Sequence, residues 1–486
     1  MDRHGAVPSF PGVPFGRFPL EIQSQIANYL DIPSLFNAIL VNKEWFLRLI
    51  DLLWHTVSLH ALSTDDTFLR TKSRRQYYAA KIRSAFIDSR SCPSLLEGLK
   101  LHSIQRLDVR DPDAADESWL SSVLTPTLQF LHLDTPCDMS KRVLDLLRGC
   151  TQLQELSLRR LMRPHSEAEL LAYLREAPSL RTVIFRRGYF EPEESRQYVN
   201  DKSFDAKVVG ELLRRGDLEC ITFGMEMTRD CFGEPLSLTA NSFPVNANLQ
   251  SLHLQGHALP IITCLSTATD RLDRLELVLL DFEQHVFRYI RNFAGLSSLY
   301  VSFKLGRTAI STRYPVSNLD LLCTLTKLTY LHIGTRCEGG LNLEWMTDAY
   351  FASWIAHFGQ LRRLELVWKC ELTSAALYSI ARSCPHLSHC TLGWKVNLQA
   401  CTRLLTAASF AQLESLRLNE IECVSDDSDD PRVTGATARV IVPTICALFP
   451  RLRHFDASHE RRDNGVILYP AELVILVDSI LAILRA

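Results

Sequence analysis

A pattern of apolar residues that recurs along most of the chain limits its possible folds more than any other feature. Each unit has three apolar residues, the second three positions after the first and the third two positions after the second, and the first is Leu in 12 of 13 units. From Ile104 to Leu452 the units recur at a mean spacing of 29 residues. The first positions are Ile104, Leu128, Leu153, Leu180, Leu218, Leu249, Leu272, Leu296, Leu328, Leu361, Leu387, Leu413 and Leu452. Such a repeat predicts small units that bury their apolar edges against one another.

The pattern inside each unit predicts a strand followed by a helix. The second and third apolar positions lie two residues apart, which places them on one face of a strand. Between strands the pattern becomes helical, as in residues 372–384, where Pro385 is expected to stop the helix; Pro178 and Pro450 are expected to stop others. We therefore predict an α/β repeat array over residues 101–486, closed by a C-terminal capping helix between Ile467 and Leu484.

One stretch carries a family likeness. Residues 361–392 read LRRLELVWKCELTSAALYSIARSCPHLSHCTL and resemble the cysteine-containing subclass of the leucine-rich repeat family. The resemblance implies a curved solenoid with its parallel strands on the concave face. The Asn or Cys that the family carries after each strand is mostly absent here, and Cys370 falls one residue late. An acidic run at residues 425–431 lies in a longer interval, and we expect it to be a solvated loop.

The N-terminal segment does not follow the repeat. Residues 18–57 read FPLEIQSQIANYLDIPSLFNAILVNKEWFLRLIDLLWHTV. Pro19, Asp31 and Asn42 each suit the start of a helix, so the segment predicts three short helices. These helices carry apolar residues on more than one side, and something must cover those residues. Two interpretations follow from the pattern: the helices dock on a partner, or they cap the first repeat.

The same segment resembles the F-box family. The matching residues are Phe18-Pro-Leu-Glu-Ile22, Pro33-Ser-Leu35, Val41-Asn-Lys-Glu-Trp45 and Leu53-Trp54, with Phe18 where Leu is usual. The resemblance implies docking on the Skp-type adaptor of a cullin-based ubiquitin ligase, with the downstream repeats holding a protein substrate for ubiquitination. The resemblance implies that eight residues either contact the adaptor or shape the surface that does: Pro19, Leu20, Ile26, Leu30, Leu35, Val41, Trp45 and Trp54.

These observations predict four regions. We expect a disordered N-terminal tail at residues 1–16, an all-α F-box at 17–57, a helical linker at 58–100 and the leucine-rich-repeat solenoid at 101–486. The linker contains a basic stretch at residues 70–83. That stretch is compatible with nuclear targeting or RNA contact, but we favour a solvated helix that holds the F-box at a fixed angle.

Four arginines are the candidate substrate-binding residues. In each predicted strand the residues between the apolar positions point away from the core. Arg106, Arg110, Arg159 and Arg186 take such positions in the first four units. Arginine binds carboxylate or phosphate groups through paired hydrogen bonds, so these residues could hold an acidic or phosphorylated segment. The alternative is solvated surface charge, partly neutralised by nearby carboxylates such as Asp108, Asp134 and Glu155.

Composition and missing motifs narrow the function further. The formal net charge is -2, which argues against a broad nucleic-acid binder. The 14 cysteines include no CxxC pair, and without a signal-peptide pattern we expect neither disulfides nor secretion. Cys384, His386, His389 and Cys390 are not expected to bind metal, because Cys390 takes a core position and His389 an outward one. No stretch is apolar enough for a membrane span.

The sequence shows no GxSxG, Walker-type or HExxH motif, so we expect no enzyme activity and no cofactor. The predicted function is that of a substrate-recognition subunit of a Skp–cullin–F-box ubiquitin ligase in the cytoplasm, the nucleus or both. The main alternative is a repeat scaffold that binds a protein or RNA partner outside any ligase. A third interpretation, an enzyme, would need turnover that survives removal of residues 1–57.

Overall fold

The fold was analysed in a computed structural model of the chain. The structure describes residues 19–59, 72–88, 96, 98–110, 119–138, 141–162, 167–186, 206–227, 246–266, 271–281, 285–304, 316–335, 341–397, 410–422, 448–457, 461–463 and 466–468. The chain divides into two compact units, residues 1–192 and 193–486, which are described separately. The expected tail at 1–16 and the acidic run at 425–431 lie outside the described residues.

The first unit begins with three short helices. They are α1 (Leu20–Tyr29), α2 (Ile32–Ile39) and α3 (Lys43–Leu53). The side chain of Asp31 accepts a hydrogen bond from Ser34 N at 2.9 Å, and Asn42 accepts one from Trp45 N at 3.0 Å. Both predicted caps therefore satisfy amide groups that a helix start leaves without a partner.

Six parallel strands follow in the first unit, and neighbours in sequence are neighbours in the sheet. They are β1 (Thr56–Ser58), β2 (Ser84–Ile87), β3 (Arg106–Arg110), β4 (Phe130–Asp138), β5 (Glu155–Met162) and β6 (Thr182–Arg186). The connecting helices are α4 (Lys72–Ala79), α5 (Leu120–Val123), α6 (Lys141–Arg148) and α7 (Glu167–Glu176). Strands in this order need a crossover between each pair, and the four helices supply it for every pair except β2 and β3, between which no α-helix is described.

The strand register explains why the apolar pattern repeats. The second positions of four units, Leu107, Leu131, Leu156 and Val183, lie side by side across β3 to β6. None of the four is more than 1% exposed. Each strand thus places its apolar pair against that of the next strand, and the core grows by one layer per unit.

The repeat begins earlier than the sequence analysis placed it. Residues 58–100, expected to form a helical linker, contain helix α4 but also strand β2, and β1 starts at Thr56. Ala85 of β2 lies between Val57 of β1 and Leu107 of β3 in the sheet. The apolar spacing is present here as Trp54, Val57, Leu59 and as Ile82, Ala85, Ile87. Both units keep the apolar spacing without Leu at the first position, as the unit at Ile104 also does.

The second unit repeats the same arrangement. Its main sheet orders β7 (Cys220–Met227), β8 (Ser251–Gly256), β9 (Arg274–Leu279), β10 (Ser298–Phe303), β11 (Tyr330–Thr335), β13 (Arg363–Leu366), β15 (His389–Asn397), β16 (Ser415–Glu422) and β17 (His454–Ala457). Two short strands, β12 (Leu341–Asn342) and β14 (Trp368–Lys369), pair beside it in parallel. The helices are α8 (Ala206–Arg214), α9 (Ala258–Ser266), α10 (Val286–Ile290), α11 (Val316–Asp320), α12 (Asp348–Ile355) and α13 (Ser374–Ser383).

The α/β class with parallel strands is confirmed, and all 13 predicted apolar units coincide with strands of the two units. Helix α13 ends at Ser383, two residues before Pro385, as predicted. The segment predicted to form the C-terminal helix does not begin as a helix in the structure. Ile467 lies in strand β19 (Val466–Leu468), which pairs antiparallel with β18 (Arg461–Asp463). The rest of that segment lies outside the described residues.

An aromatic cluster strengthens the core of the second unit. The ring centroids of Trp354 on α12 and Trp368 on β14 lie 5.6 Å apart, and Trp394 on β15 lies 6.2 Å from Trp368. All three indoles are 2% exposed or less. Large rings at these distances bury much apolar area, so they link a helix to two strands.

We predict that Leu364→Ala lowers the free energy of unfolding by about 2–5 kcal/mol, because it leaves a cavity between neighbouring repeats. Leu364 is fully buried on β13. The matched control is Leu259→Ala on α9, where the side chain is 60% exposed; its cost should stay below about 1 kcal/mol. Urea unfolding followed by tryptophan fluorescence measures both, and equal costs would contradict the repeat core.

Candidate functional site: an apolar helical surface and an arginine cleft

Large apolar side chains are exposed mainly on the three N-terminal helices. Ten large apolar residues are exposed in the described part of the chain, and seven of them fall between residues 22 and 47. We call these seven the helical apolar surface: Ile22, Tyr29, Ile32, Phe36, Leu40, Val41 and Leu47. Their exposed fractions run from 39% for Ile22 to 91% for Tyr29. A concentration of this kind is unusual on a protein surface that has no binding role.

Helix α2 shows how the surface arises. Leu35, Ala38 and Ile39 face inward and join a buried cluster with Leu49 and Ile50 of α3. Ile32, Phe36 and Leu40 recur at four-residue spacing, which places them in a row along the helix. They are 71%, 53% and 68% exposed. The helix thus has one apolar row for its own core and a second that its own unit leaves uncovered.

The structure places the eight F-box-derived residues in different environments. Pro19 and Val41 are exposed, and Ile26, Leu30, Trp45 and Trp54 are half-buried. Leu35 is only 8% exposed, so it shapes the surface from within. The side chain of Leu20 lies outside the described part. The resemblance did not single out the other six members of the helical apolar surface, because their exposure depends on how the helices pack.

Trp54 joins the helices to the repeat sheet. Its ring stacks on Tyr78 of α4 with centroids 4.4 Å apart and an interplanar angle of 10°. Nearby, Lys81 Nζ lies 2.8 Å from Asp51 Oδ1. That contact raises the pKa of Lys81, mainly through the hydrogen bond to Asp51. Trp54 therefore fixes α3 against the start of the repeats and is not a fully exposed docking residue.

The four predicted arginines line one cavity on the outward face of β3 to β6. Its volume is about 290 Å³, and Arg106, Arg110, Arg159 and Arg186 are all in its wall. We call this site the arginine cleft. The register gathers three of them, because Arg110, Arg159 and Arg186 lie with Asp134 in one row across four neighbouring strands. Arg106 lies in a second row, beside Phe130. Phe130, His132, Glu155, Ser157 and Ile184 also line the cavity.

The arginines differ in what they contact. Arg110 donates two hydrogen bonds to the carboxylate of Asp108, at 3.2 and 3.0 Å. Arg106 lies over the ring of Phe130, 4.9 Å from its centroid. Arg159 Nη1 is 3.6 Å from Asp134 Oδ2, beyond good hydrogen-bond length. Arg110 is thus paired with Asp108, and Arg159 forms a longer ion pair with Asp134.

His132 sits in the floor of the cleft, where its Nδ1 lies 2.7 Å from Ser157 Oγ. Burial lowers the pKa of His132, and the charges of Arg159 and Arg110 lower it further, opposed by Asp108 and Asp134. The imidazole is therefore neutral at pH 7 and adds no positive charge. The positive charge of the cleft comes from arginine alone.

A polar network occupies the outward face of the second unit. Tyr300 and His332 stack with centroids 4.1 Å apart, and His332 Nδ1 lies 2.9 Å from Glu365 Oε2. Arg363 also donates to Glu365. Burial alone would raise the pKa of Glu365, but the hydrogen bonds from His332 and Arg363 outweigh it and lower the pKa. The network holds these side chains in fixed positions.

The cysteine and histidine side chains that the structure describes do not gather into a metal site. Cys390 is 1% exposed and His389 is exposed, so they point to opposite faces as predicted. Burial raises the pKa of Cys150 and Cys384 to about 12, which keeps both thiols protonated. No group of three metal-binding side chains forms within the described ranges.

None of the helices that the structure describes combines the length and apolar character needed to cross a membrane.

Comparison with known proteins gives structural likenesses but no match in sequence. No protein-family model and no curated protein matches the chain. Among solved structures, the leucine-rich repeat-containing protein LegL7 from Legionella pneumophila matches with 12% identity and a TM-score of 0.30. The alignment covers 67% of this chain and 98% of that one. A likeness at this TM-score does not establish the fold, which the strand register shows directly.

We predict that Trp54→Ala loosens the three helices from the sheet, at a cost of about 1–3 kcal/mol for the lost stacking and packing. Amide hydrogen exchange in residues 20–54 should become faster, with little change in β8 to β11. Trp54→Phe keeps a ring against Tyr78 and serves as the control. Unchanged exchange in Trp54→Ala would show that the stack does not hold the helices.

The lowered pKa of Glu365 makes a prediction about pH. A carboxyl group whose folded pKa lies below its usual value of 4.5 stabilises the fold above that value and stops doing so as pH falls through the folded pKa. Glu365→Gln should therefore be less stable than the parent at pH 7, and the difference should shrink below pH 4.5. Urea midpoints at several pH values test this, and a pH-independent difference would contradict it.

Proposed function

We propose that this protein is the substrate-recognition subunit of a Skp–cullin–F-box ubiquitin ligase. The observation that carries the proposal is the helical apolar surface on α1 to α3, in the segment whose residues resemble the F-box. In this account the surface docks on a Skp-type adaptor. The following repeats form a leucine-rich-repeat solenoid that binds a protein substrate for ubiquitination.

The energetics support a partner of considerable affinity. Full burial of one large apolar side chain contributes about 1.5–3 kcal/mol, and the seven residues here are between 39% and 91% exposed, so together they offer enough to drive association. Part of that gain is lost to the ordering that any association requires. The three helices already have their own buried cluster, which includes Leu49 and Ile50. A surface that is ordered before binding loses less on association than one that must fold.

The repeat sheet supports the substrate-binding half of the proposal. Its outward face carries the arginine cleft in one unit and the network around Glu365 in the other. Arginine and tyrosine are the residue types that most often anchor protein interfaces. The Trp54–Tyr78 stack connects the proposed adaptor-binding helices to the start of the sheet, which would hold a bound substrate at a defined distance from the ligase.

The alternative is a repeat scaffold outside any ligase, with the helices acting only as a cap. The observation in its favour is the same Trp54–Tyr78 stack, because it joins the helices to the first strands. A cap, however, has its apolar residues on the side that faces the repeats and a polar outer face. Here Phe36 and Leu40 are both more than half exposed. We therefore favour the adaptor.

We predict that a Phe36→Ser, Leu40→Ser double variant binds a purified Skp-type adaptor at least about tenfold more weakly than the parent. The two side chains are 53% and 68% exposed, so docking buries little more than half of each. Losing that contact removes at least about 2 kcal/mol, and about 1.4 kcal/mol corresponds to each factor of ten. Binding is measured by surface plasmon resonance on the full chain. Circular dichroism should show the fold unchanged, because both side chains are exposed in the free protein.

The matched control changes exposed apolar residues outside the helices. Leu259 and Tyr378 are 60% and 42% exposed, and Leu259→Ser, Tyr378→Ser should bind the adaptor like the parent. Absence of adaptor binding by the unaltered chain at micromolar concentration would favour the scaffold. Equal binding by the two double variants would show that the helical apolar surface is not the docking site.

A further inference from the structure

The chain just before α1 carries an apolar pattern that belongs neither to the repeat nor to the three helices. Residues 7–19, of which the structure describes only Pro19, read VPSFPGVPFGRFP. Each of the four prolines follows a large apolar residue, as in Val7-Pro8 and Phe10-Pro11. Proline fixes its own φ and restricts the residue before it to extended conformations. The sequence therefore favours polyproline II or β backbone at eight of these 13 residues.

The spacing of the pairs gives the segment one apolar face. Polyproline II has three residues per turn, so residues three apart lie on the same side. Val7, Phe10 and Val13 are three apart, and the prolines that follow them form the neighbouring row. Residues 7–15 contain no charged side chain. Because polyproline II has no internal hydrogen bonds, such a segment is held in place only by what it contacts.

Helix α1 presents an apolar row of matching length. Ile22 and Tyr29 are seven residues apart, which places them on one side of α1, with half-buried Ile26 between them. Ile22 is 39% exposed and Tyr29 is 91% exposed. The two lie about 10.5 Å apart along the helix axis. Phe10 and Val13 would lie about 9 Å apart along a polyproline II helix.

The backbone at the start of α1 supports a contact between the two rows. Pro19 has φ −51° and ψ 148°, close to polyproline II, so the segment joins α1 in that conformation. Gly16 lies between residues 7–15 and this point, and glycine permits the turn that would carry the segment back along α1. Polyproline segments are recognised by exposed aromatic rings, and Tyr29 supplies one.

We propose that residues 7–15 lie back along α1 in the free protein, cover the row from Ile22 to Tyr29, and are displaced by the adaptor. This inference rests on the proposed function, because it names a regulation of the same surface. The segment is tethered at Pro19, and a short tether gives an effective concentration of the order of 1 mM. A contact with an intrinsic Kd of about 0.1 mM is then closed about nine-tenths of the time. The apparent affinity for the adaptor falls in proportion to the open fraction, about tenfold.

The first test measures adaptor binding by the full chain with surface plasmon resonance. Phe10→Ser, Val13→Ser should bind a purified Skp-type adaptor about tenfold more tightly than the parent, because the competing contact is lost. The matched control is Ser9→Asn, Gly12→Asn, which changes the other side of the same segment and should bind like the parent. A residue that only stabilises the fold would not raise the affinity when it is replaced. Equal adaptor binding by the parent and Phe10→Ser, Val13→Ser overturns the inference.

A second test does not involve the adaptor. A fluorescein-labelled peptide of residues 5–16 should bind the chain whose own segment carries the two serine substitutions, with a Kd of about 0.1 mM by fluorescence polarisation. Adding Ile22→Ser, Tyr29→Ser should abolish peptide binding. Adding Phe36→Ser, Leu40→Ser, which changes the row on α2, should leave it unchanged. Peptide binding that survives the α1 substitutions, or no binding at millimolar concentration, overturns the inference.

The two tests separate this inference from the proposed function. Peptide binding to α1 in a chain that binds no adaptor supports the covering contact and contradicts the ligase role. Adaptor binding without peptide binding overturns the covering contact and leaves the ligase role standing. Self-association of the parent in sedimentation velocity, without peptide binding, would place a second copy of the chain on α1 and also overturns the inference.

Discussion

The parallel register of successive strands is the constraint on which the structure depends. Each unit contributes a pair of apolar residues two positions apart, and the register places each pair against the next, as with Leu331 and Leu364 on β11 and β13. No unit can bury this pair alone, so the burial of every strand depends on its neighbours. The same register determines the outward face. Residues between the apolar positions form rows across the strands, and those rows hold the arginine cleft and the network around Glu365.

The repeat array was largely predictable from the sequence because the signal is local and is repeated. The two units that were missed begin with Trp54 and Ile82, and they show how far the pattern can change while the geometry stays the same. Trp54 was assigned to the docking surface by resemblance to the F-box. In the structure it precedes β1 and stacks on Tyr78, a contact between residues 24 positions apart. A contact of that kind depends on tertiary packing, which the spacing of apolar residues does not predict.

The two candidate sites differ in how much of each was predictable. The four arginines came from strand register alone, and the structure brings all four to one cavity. Which arginine is neutralised depends on side-chain geometry, and only the structure shows Arg110 bound to Asp108. For the helices, the sequence predicted apolar residues on several sides but not which of them stay exposed. Phe36 and Leu35 are neighbours in sequence, yet one is 53% exposed and the other 8%.

The central claim is that the helical apolar surface is one half of an interface. Isothermal titration calorimetry of the full chain with a purified Skp-type adaptor, repeated at several temperatures, tests it most directly. Burial of apolar surface on binding makes the heat-capacity change negative. The account predicts a one-to-one complex with submicromolar Kd and a large negative heat-capacity change. Absence of binding at micromolar concentrations, or binding with a heat-capacity change near zero, would contradict it.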